Sequence, residues 1–276
     1  MRGEIPEVLR RARIRPCRRA GQHHLVDQNV LRRIVGHASL RGDEVVLEVG
    51  AGAGNLTRML AGLAGKVIAV ERDRRFRGIL EEIAGEHENV NLIFGDVMRI
   101  KLPKFDKVVS NIPYSISSDL TFKLLDCKFE LGVVLYQEEF ARRMVAGPGS
   151  EEYGRLTVNV YRRAEVKLLD EVPPNAFYPP PNVSSRVVLI KPREPPFEVP
   201  DERIFSALVR AMFQHRNQAA RNALYRSFEE VFPGSKLPKL ERRKMVDGIL
   251  GEMGQTKVFE LSPEQFAQIS RRITSP

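Results

Sequence analysis

Short runs of β-branched residues alternate with amphipathic segments between residues 45 and 135, and this alternation constrains the fold more than any other feature. The apolar runs are Val45–Val49, Lys66–Val70, Val90–Phe94, Lys107–Ser110 and Leu131–Tyr136. The segments between them, such as Asn55–Ala64 and Arg74–Ala84, place apolar residues on one helical face. Strands separated by helices are typical of βαβ units around a parallel sheet. The sequence therefore predicts an α/β fold with a doubly wound sheet.

A second region begins after two further β-like runs, Glu165–Val172 and Ser185–Ile190. The proline-rich stretch between them, residues 173–181, is predicted to be a stiff loop without a strand, because proline cannot donate to a strand ladder. Prolines between residues 192 and 200 mark a linker. After it, Asp201 is predicted to cap the first of several helices.

This pattern predicts two domains. We expect a larger domain over residues 1–191, which includes a basic N-terminal extension, and a smaller helical domain over residues 200–276. The formal net charge of +9 favours a polyanionic partner such as nucleic acid. Basic residues cluster in both domains: Arg10, Arg11, Arg13, Arg15, Arg18 and Arg19, and then Arg210, Arg216, Arg221, Arg226, Arg242, Arg243 and Lys244.

Other classes of protein are disfavoured. No apolar run approaches the ~20 residues needed to span a bilayer, and the N-terminus lacks the apolar segment of a signal peptide, so we expect a cytoplasmic protein with no membrane partner. The two cysteines, Cys17 and Cys127, lie far apart and have no CxxC spacing. They suggest neither a disulfide framework nor a zinc site, and we expect no metal.

Three motifs follow successive predicted strands. A glycine-rich turn at Gly50–Gly54 leads from the first strand into a helix, where backbone N–H groups are available to a ligand. Glu71 ends the next strand, some 20 residues on, where nucleotide-binding α/β folds place a carboxylate on ribose hydroxyls. Asp96 follows the third strand and is suited to accept from an adenine amine. Together they predict a site for the adenosine half of a dinucleotide or of S-adenosylmethionine.

The fourth strand runs into Asn111, Ile112, Pro113 and Tyr114, and this segment favours S-adenosylmethionine. The N6 amine of adenine is barely basic, so a methyltransferase must hold its hydrogens with acceptors and turn the lone pair towards the methyl donor. The Asn111 side-chain oxygen and the Ile112 carbonyl are the predicted acceptors. Pro113 fixes the backbone, and Tyr114 is predicted to stack on the purine. A turn that only caps the next helix is the alternative.

These segments together resemble those of the small-subunit rRNA adenine N6,N6-dimethyltransferases, over about residues 20–225. The shared segments are Gly21–Asp27, the glycine-rich turn, Glu71, Gly95–Asp96, Asn111–Ser118, Tyr136–Met144, Tyr153–Leu156 and Phe177–Pro181. The resemblance implies a Rossmann-like class I methyltransferase domain with a mostly parallel seven-stranded sheet, a C-terminal helical RNA-binding domain and S-adenosylmethionine as cofactor. The implied reaction is dimethylation of two adjacent adenosines in a hairpin near the 3′ end of small-subunit rRNA, in ribosome biogenesis.

The resemblance also implies individual roles. The implied cofactor-binding residues are His23, Leu25, Gly50, Gly52, Glu71, Asp96 and Asn111. The implied catalytic residues are Asn111, Ile112, Pro113 and Tyr114. Phe177 is expected to stack on the second face of the target base, although a packed loop anchor is an equal alternative. The chain departs from the family pattern at four positions, where His24, Ala51, Ile112 and Ser115 stand in place of phenylalanine, proline, leucine and asparagine.

Several alternatives remain open at the level of the sequence. Enzymes that methylate adenine N6 in large-subunit rRNA or in DNA share the core motifs. Relatives of this family also act mainly as ribosome-assembly factors, without catalysis, although a complete cofactor site argues against that function. The expected partner is the small ribosomal subunit or its rRNA, and a monomer is the simpler expectation.

Overall fold

A computed structural model of the 276-residue chain describes residues 4–15 and 23–274. Cys17, Arg18, Arg19, Gly21 and Gln22 lie outside these residues. The chain divides into two compact units. The first unit comprises residues 1–141 and 165–192, and the second comprises residues 142–164 and 193–276.

The first unit contains a seven-stranded sheet with the order β4-β3-β2-β5-β6-β9-β7. The strands of the chain are β1 (His24–Leu25), β2 (Val45–Val49), β3 (Lys66–Glu71), β4 (Val90–Phe94), β5 (Lys107–Asn111), β6 (Leu131–Gln137), β7 (Ala164–Val172), β8 (Phe177–Tyr178) and β9 (Ser185–Pro192). Strands β2 to β6 pair in parallel, and β9 is antiparallel to β6. The predicted mostly parallel sheet is confirmed. The strand order reverses between β2 and β5, and open α/β sheets bind ligands beyond the carboxyl ends of strands at such a point.

Helices accompany this sheet in the first part of the chain. They are α1 (Glu4–Arg11), α2 (Gln28–Ala38), α3 (Asn55–Ala61), α4 (Arg77–Glu86), α5 (Ser117–Leu125) and α6 (Glu138–Val145). The single helix predicted over Arg74–Ala84 is instead a 3-10 turn, Arg74–Phe76, followed by α4. The turn forms because the Asp73 carboxylate accepts from the backbone N–H of Arg75 and caps it.

A separate two-stranded sheet corrects one prediction. Strand β8 lies within the proline-rich stretch that was predicted to contain no strand, and it pairs antiparallel with β1. The pairing involves Phe177 and Tyr178, which are not prolines and keep their backbone N–H groups, whereas residues 179–181 are all proline and follow the strand. The loop thereby holds the segment that carries His24 and Leu25.

The second unit is helical. Its helices are α7 (Arg155–Arg163), α8 (Glu202–Phe213), α9 (Ala220–Arg226), α10 (Phe228–Val231), α11 (Lys239–Leu250) and α12 (Pro263–Thr274). The Asp201 cap is confirmed, because its carboxylate accepts from the backbone N–H groups of Arg203 and Ile204 at 2.7 and 3.1 Å. Phe205, Phe228 and Phe266 are fully buried in a core of their own.

The division of the chain differs from the expected boundary near residue 191, because residues 142–164 belong to the second unit. Tyr153 explains the difference. Its side chain is 1% exposed, its hydroxyl donates to the Leu261 carbonyl at 2.7 Å, and its ring meets that of Phe213 edge-on. No helix in the described part of the chain is both long and apolar enough to cross a membrane.

Candidate active site

A cavity of about 470 Å³ lies at the carboxyl ends of β2, β3 and β5 in the first unit. Its volume is within the range of small-molecule sites, roughly 300–1,000 Å³. It brings together most of the predicted residues: His23, Gly50, Gly52, Glu71, Asp96, Asn111, Ile112, Pro113 and Tyr114. Motifs that are about 15 to 90 residues apart in the chain therefore line one site, because parallel strands end at the same sheet edge.

The glycine-rich turn forms one wall of the cavity, and its glycines are required by both conformation and space. Gly50 and Gly52 have φ values of +81° and +54°, which disfavour other residues. A Cβ atom at Gly50 would lie 3.3 Å from Pro113 Cδ, and one at Gly52 would lie 2.8 Å from His24 Nδ1. The turn is thus in close contact with two other parts of the cavity wall and leaves its backbone open to a ligand.

The Glu71 carboxylate connects two of these walls. It accepts hydrogen bonds from the backbone N–H groups of Gly52 at 2.8 Å and Asp73 at 2.6 Å. Glu71 is 8% exposed, and burial raises its pKa above the ordinary value. An ionised carboxylate offers about four acceptor sites, so acceptor capacity remains for a ligand hydroxyl. The arrangement fits a ribose.

Asp96 lies on the next strand end and also lines the cavity. Its Oδ1 atom accepts from the backbone N–H of Met98 at 3.0 Å, which fixes the carboxylate. The Oδ2 atom lies 4.0 Å from Arg72 Nη1 and 3.9 Å from Arg99 Nε. These distances are too long for strong hydrogen bonds, so this oxygen retains acceptor capacity that suits an amine.

The Asn111 side chain has a fixed orientation. Its Nδ2 atom donates to the backbone carbonyl of His23 at 2.9 Å. A carbonyl only accepts, so the amide must present its NH₂ end to His23 and its Oδ1 end elsewhere. Since Asn111 lines the cavity, the side chain can offer Oδ1 as an acceptor to a bound amine.

Two rings lie next to this amide. The Tyr114 hydroxyl is hydrogen-bonded to Ser185 Oγ at 2.6 Å, and burial raises the pKa of Tyr114. The His23 ring stacks with the Tyr114 ring at 5.8 Å between centroids, and His23 Nδ1 is 2.7 Å from the Pro179 carbonyl. The carbonyl requires Nδ1 to be the protonated, donating nitrogen. Both rings are therefore held in place at the cavity wall.

Two predicted site residues are absent from the lining of this cavity. Leu25 is 4% exposed and packs in the core of the first unit, while its carbonyl accepts from Asn55 Nδ2 at 2.8 Å. Phe177 is 3% exposed and lies in the same core. The structure thus places Phe177 as a packed anchor of its loop, and the neighbouring Tyr178 is the more exposed ring, at 40%.

Sequence reasoning missed several residues of the cavity wall. Phe76 and Val97 supply apolar surface, and Arg72, Asp73 and Arg75 supply charge. All of them follow Glu71 or Asp96 by a few residues. Their position after the ends of β3 and β4 was the available signal, because ligands of open α/β sheets contact the loops beyond the strands.

Two ionisable groups with shifted pKa values lie at the cavity: His24 is part of its lining, and Glu48 is buried behind the glycine-rich turn. Burial raises the pKa of Glu48 to about 8, while the Thr57 hydroxyl donates to its Oε2 atom at 2.6 Å. Burial also lowers the pKa of His24 to about 4. The His24 ring meets the Phe76 ring edge-on at 5.2 Å. Both groups are uncharged near neutral pH. Within residues 4–15 and 23–274, no three His, Cys, Asp or Glu side chains are grouped to hold a metal ion.

Comparison with protein families gives a match over almost the whole chain. The family model for ribosomal RNA adenine dimethylase matches residues 15–274. A probable ribosomal RNA small subunit methyltransferase A of Methanothermobacter thermautotrophicus is 42% identical over 98% of this chain and 95% of its own length. The protein of the same description from Methanosarcina acetivorans is 43% identical over 91% of each chain.

Solved structures show the same similarity. A dimethyladenosine transferase from Plasmodium falciparum superposes with a TM-score of 0.76 at 30% identity, over 90% of this chain and 96% of its own. The 23S rRNA methyltransferase ErmE superposes with a TM-score of 0.66 at 29% identity, over 91% of this chain and all of its own. Both similarities cover residues well beyond the sheet that carries the cavity.

Proposed function

Because this chain belongs to the ribosomal RNA adenine dimethylase family, we propose that it dimethylates the N6 amines of two adjacent adenosines in a hairpin near the 3′ end of small-subunit rRNA. S-adenosylmethionine is the cofactor of this class of enzyme and supplies a methyl group from its sulfonium. The relatives at 42% and 43% identity are described as small-subunit methyltransferases, whereas the 23S rRNA methyltransferase ErmE is 29% identical. These identities favour the small subunit as the target.

The observation that carries the proposal is the hydrogen bond from Asn111 Nδ2 to the His23 carbonyl. It leaves Oδ1 to accept one N6 hydrogen of the adenine, and the Ile112 carbonyl accepts the other. Both hydrogens are then held in place, so that the nitrogen lone pair is directed at the methyl donor. Positioning supplies most of the rate, and the methylated amine is acidic enough to lose its proton to water.

The other cavity residues are assigned to the cofactor and the base. Glu71 binds the ribose hydroxyls, Asp96 accepts from the cofactor's adenine amine, and Gly50 and Gly52 allow its amino-acid portion to approach the backbone. Phe76 and Val97 would supply apolar contact to the cofactor's adenine ring. His23 and His24 cover the cofactor, and Tyr114 stacks on the target base. The second unit contributes affinity for the RNA backbone through its arginines.

The experiment compares methylation of the two ribosomal subunits. Small and large subunits that lack adenine methylation are incubated with the protein and S-adenosylmethionine, and modified adenines are mapped by mass spectrometry. We expect dimethylation at two adjacent adenosines near the 3′ end of the small-subunit rRNA. Asn111→Ala should lower the rate by roughly a hundredfold or more, because a preorganised acceptor is lost at the reacting group.

Two controls accompany this variant. Asn111→Asp keeps the shape of the side chain but cannot donate to the His23 carbonyl, so we expect it to be impaired as well. RNA affinity should stay at the wild-type level in both variants. Unchanged methyl transfer by Asn111→Ala would refute the assigned role, and modification of the large subunit alone would refute the proposed target.

A monomeric state and a cytoplasmic location stay predictions, and light scattering would test the monomeric state.

A further inference from the structure

Residues 4–15, which we call the N-terminal arm, are docked on the first unit by two side chains. Leu9 in α1 is 2% exposed and Ile14 is 6% exposed, and both belong to the core that also contains the sheet. The Ile14 N–H donates to the Leu9 carbonyl at 2.8 Å, and Arg13 adopts a left-handed conformation with φ of 54°. The end of the helix therefore turns back so that both apolar residues face the unit.

The same geometry leaves the basic residues of the arm on the outside. Arg10, Arg11, Arg13 and Arg15 are all exposed. Arg11 is paired with Glu7 at 2.7 Å. In the described part of the chain, Arg10, Arg13 and Arg15 have no carboxylate within ion-pair distance. The arm thus presents positive charge that no protein group in that part neutralises.

The arm ends at the rim of the cavity. The Arg75 side chain lines the cavity, and its Nη1 atom donates to the Arg15 carbonyl at 3.2 Å. The same guanidinium is held by the Asp73 carboxylate, at 2.9 Å from Nε to Oδ1. Asp73 in turn donates its backbone N–H to Glu71. A continuous set of hydrogen bonds therefore fixes the arm next to the cofactor site.

We propose that the N-terminal arm binds phosphates of the RNA strand that delivers the target adenosine to the cavity. The inference rests on the proposed function, since a base can enter the cavity only if its sugar-phosphate backbone passes the rim. Guanidinium groups match phosphate geometry and keep their charge at all relevant pH values. Exposed, unpaired arginines on a docked segment at that rim are suited to this role, which adds affinity without reading sequence.

The test measures the salt dependence of RNA binding by the full chain. The probe is a hairpin RNA from the 3′ end of small-subunit rRNA, and its dissociation constant is measured by fluorescence anisotropy from 50 to 300 mM salt. The double variant Arg10→Gln with Arg15→Gln should have a smaller slope in the plot of log affinity against log salt concentration. The magnitude of the slope should fall by about 1.4–1.8, because each lost phosphate contact lowers it by about 0.7–0.9. Affinity at the lowest salt should fall by roughly tenfold or more, as the loss of two counterion-releasing contacts requires.

The matched control is Lys66→Gln with Lys104→Gln, which removes the same net charge. Both lysines are exposed and lie near the amino ends of β3 and β5, at the sheet edge opposite the cavity. We expect this variant to keep the wild-type slope. Equal loss in the two variants would show a general charge effect and overturn the proposal, as would a wild-type slope in the arm variant.

Two further measurements separate this proposal from the proposed function. S-adenosylmethionine affinity by calorimetry and thermal stability should be unchanged in the arm variant, because neither substituted side chain lines the cavity or lies in the core. If the wild-type protein binds the hairpin with the predicted slope but methylates no adenine in it or in the subunit, the proposed function fails and the arm proposal stands. If it methylates normally and the arm variant binds like wild type, only the arm proposal fails.

Discussion

Glu48 is a buried acid next to the cofactor site, and its titration links stability to pH. Its folded pKa is about 8, against an ordinary value of 4.5. Between these values the unfolded chain has released a proton that the folded chain keeps. Stability therefore falls as the pH rises from about 4.5 to about 8, and this decline levels off above that range. The Glu48 carboxyl group therefore makes its full contribution to the stability of the fold only below its pKa in the unfolded chain, about 4.5.

We predict that Glu48→Gln removes this part of the pH dependence. Glutamine has nearly the same shape as glutamate and cannot ionise. As the pH rises from 4.5 to 8, the free energy of unfolding of the variant should therefore increase by a few kcal/mol relative to that of the wild type. This magnitude follows from about 1.4 kcal/mol for each pH unit. Urea unfolding at several pH values measures the difference. The exposed Glu88→Gln controls for the change in net charge. Parallel pH profiles for Glu48→Gln and the wild type would contradict the prediction.

At the scale of elements, the pairing of β1 with β8 depends on Phe177. Because the ring is buried in the core, Phe177→Ala should lower the free energy of unfolding by about 3–5 kcal/mol, whereas Tyr178→Ala should cost much less. Phe177→Leu keeps an apolar anchor but has no aromatic face. We expect this variant to retain most methyl transfer, measured with purified folded protein on small subunits. If Phe177→Leu is stable yet loses most activity, the ring stacks on the target base after all.

The elements also show what the sequence could predict. Strands β2 and β4 have the predicted bounds because their apolar runs are local signals, and turns follow them at once. Strand β8 was missed because two residues form it only by pairing with His24 and Leu25, more than 150 positions away. Glu71, Asp96 and Asn111 could be predicted to lie in one cavity because each stands at or just after a strand end that the topology brings to the same sheet edge. Phe76 and Arg75 also follow a strand end, but which residues of that loop face the cavity depends on tertiary packing, so their place in the wall was not predicted.

At the scale of the whole molecule, the chain passes between the two units more than once. Residues 142–164 interrupt the first unit, and their apolar side chains, among them Tyr153 and Val158, are buried with the C-terminal helices. The sequence pattern did not predict this arrangement. In sequence, α7 lies between β6 and β7, which are both strands of the sheet in the first unit, so the pattern assigns α7 to the same domain as those strands. The larger unit is therefore continuous in space but not in sequence.

We predict that a truncated chain ending at residue 192 aggregates. It retains residues 142–164 but lacks the helices that cover Tyr153 and Val158, so an apolar surface is exposed. The truncated chain should bind the dye ANS and aggregate, whereas the full chain should do neither. Substituting serine at both positions in the truncated chain should reduce dye binding. A monodisperse truncated chain without dye binding would show that this segment packs differently.

The hydrogen bond between Asn111 and His23 has a consequence for the timing of catalysis. The bond is made by protein groups alone, so the amide is oriented when the chain folds. An amide that was free to rotate would have to be reoriented at each turnover, and part of the binding energy of each substrate would be spent on that ordering. The folded protein meets this entropic cost once, so that under the proposed function every later adenosine encounters an acceptor that is already oriented.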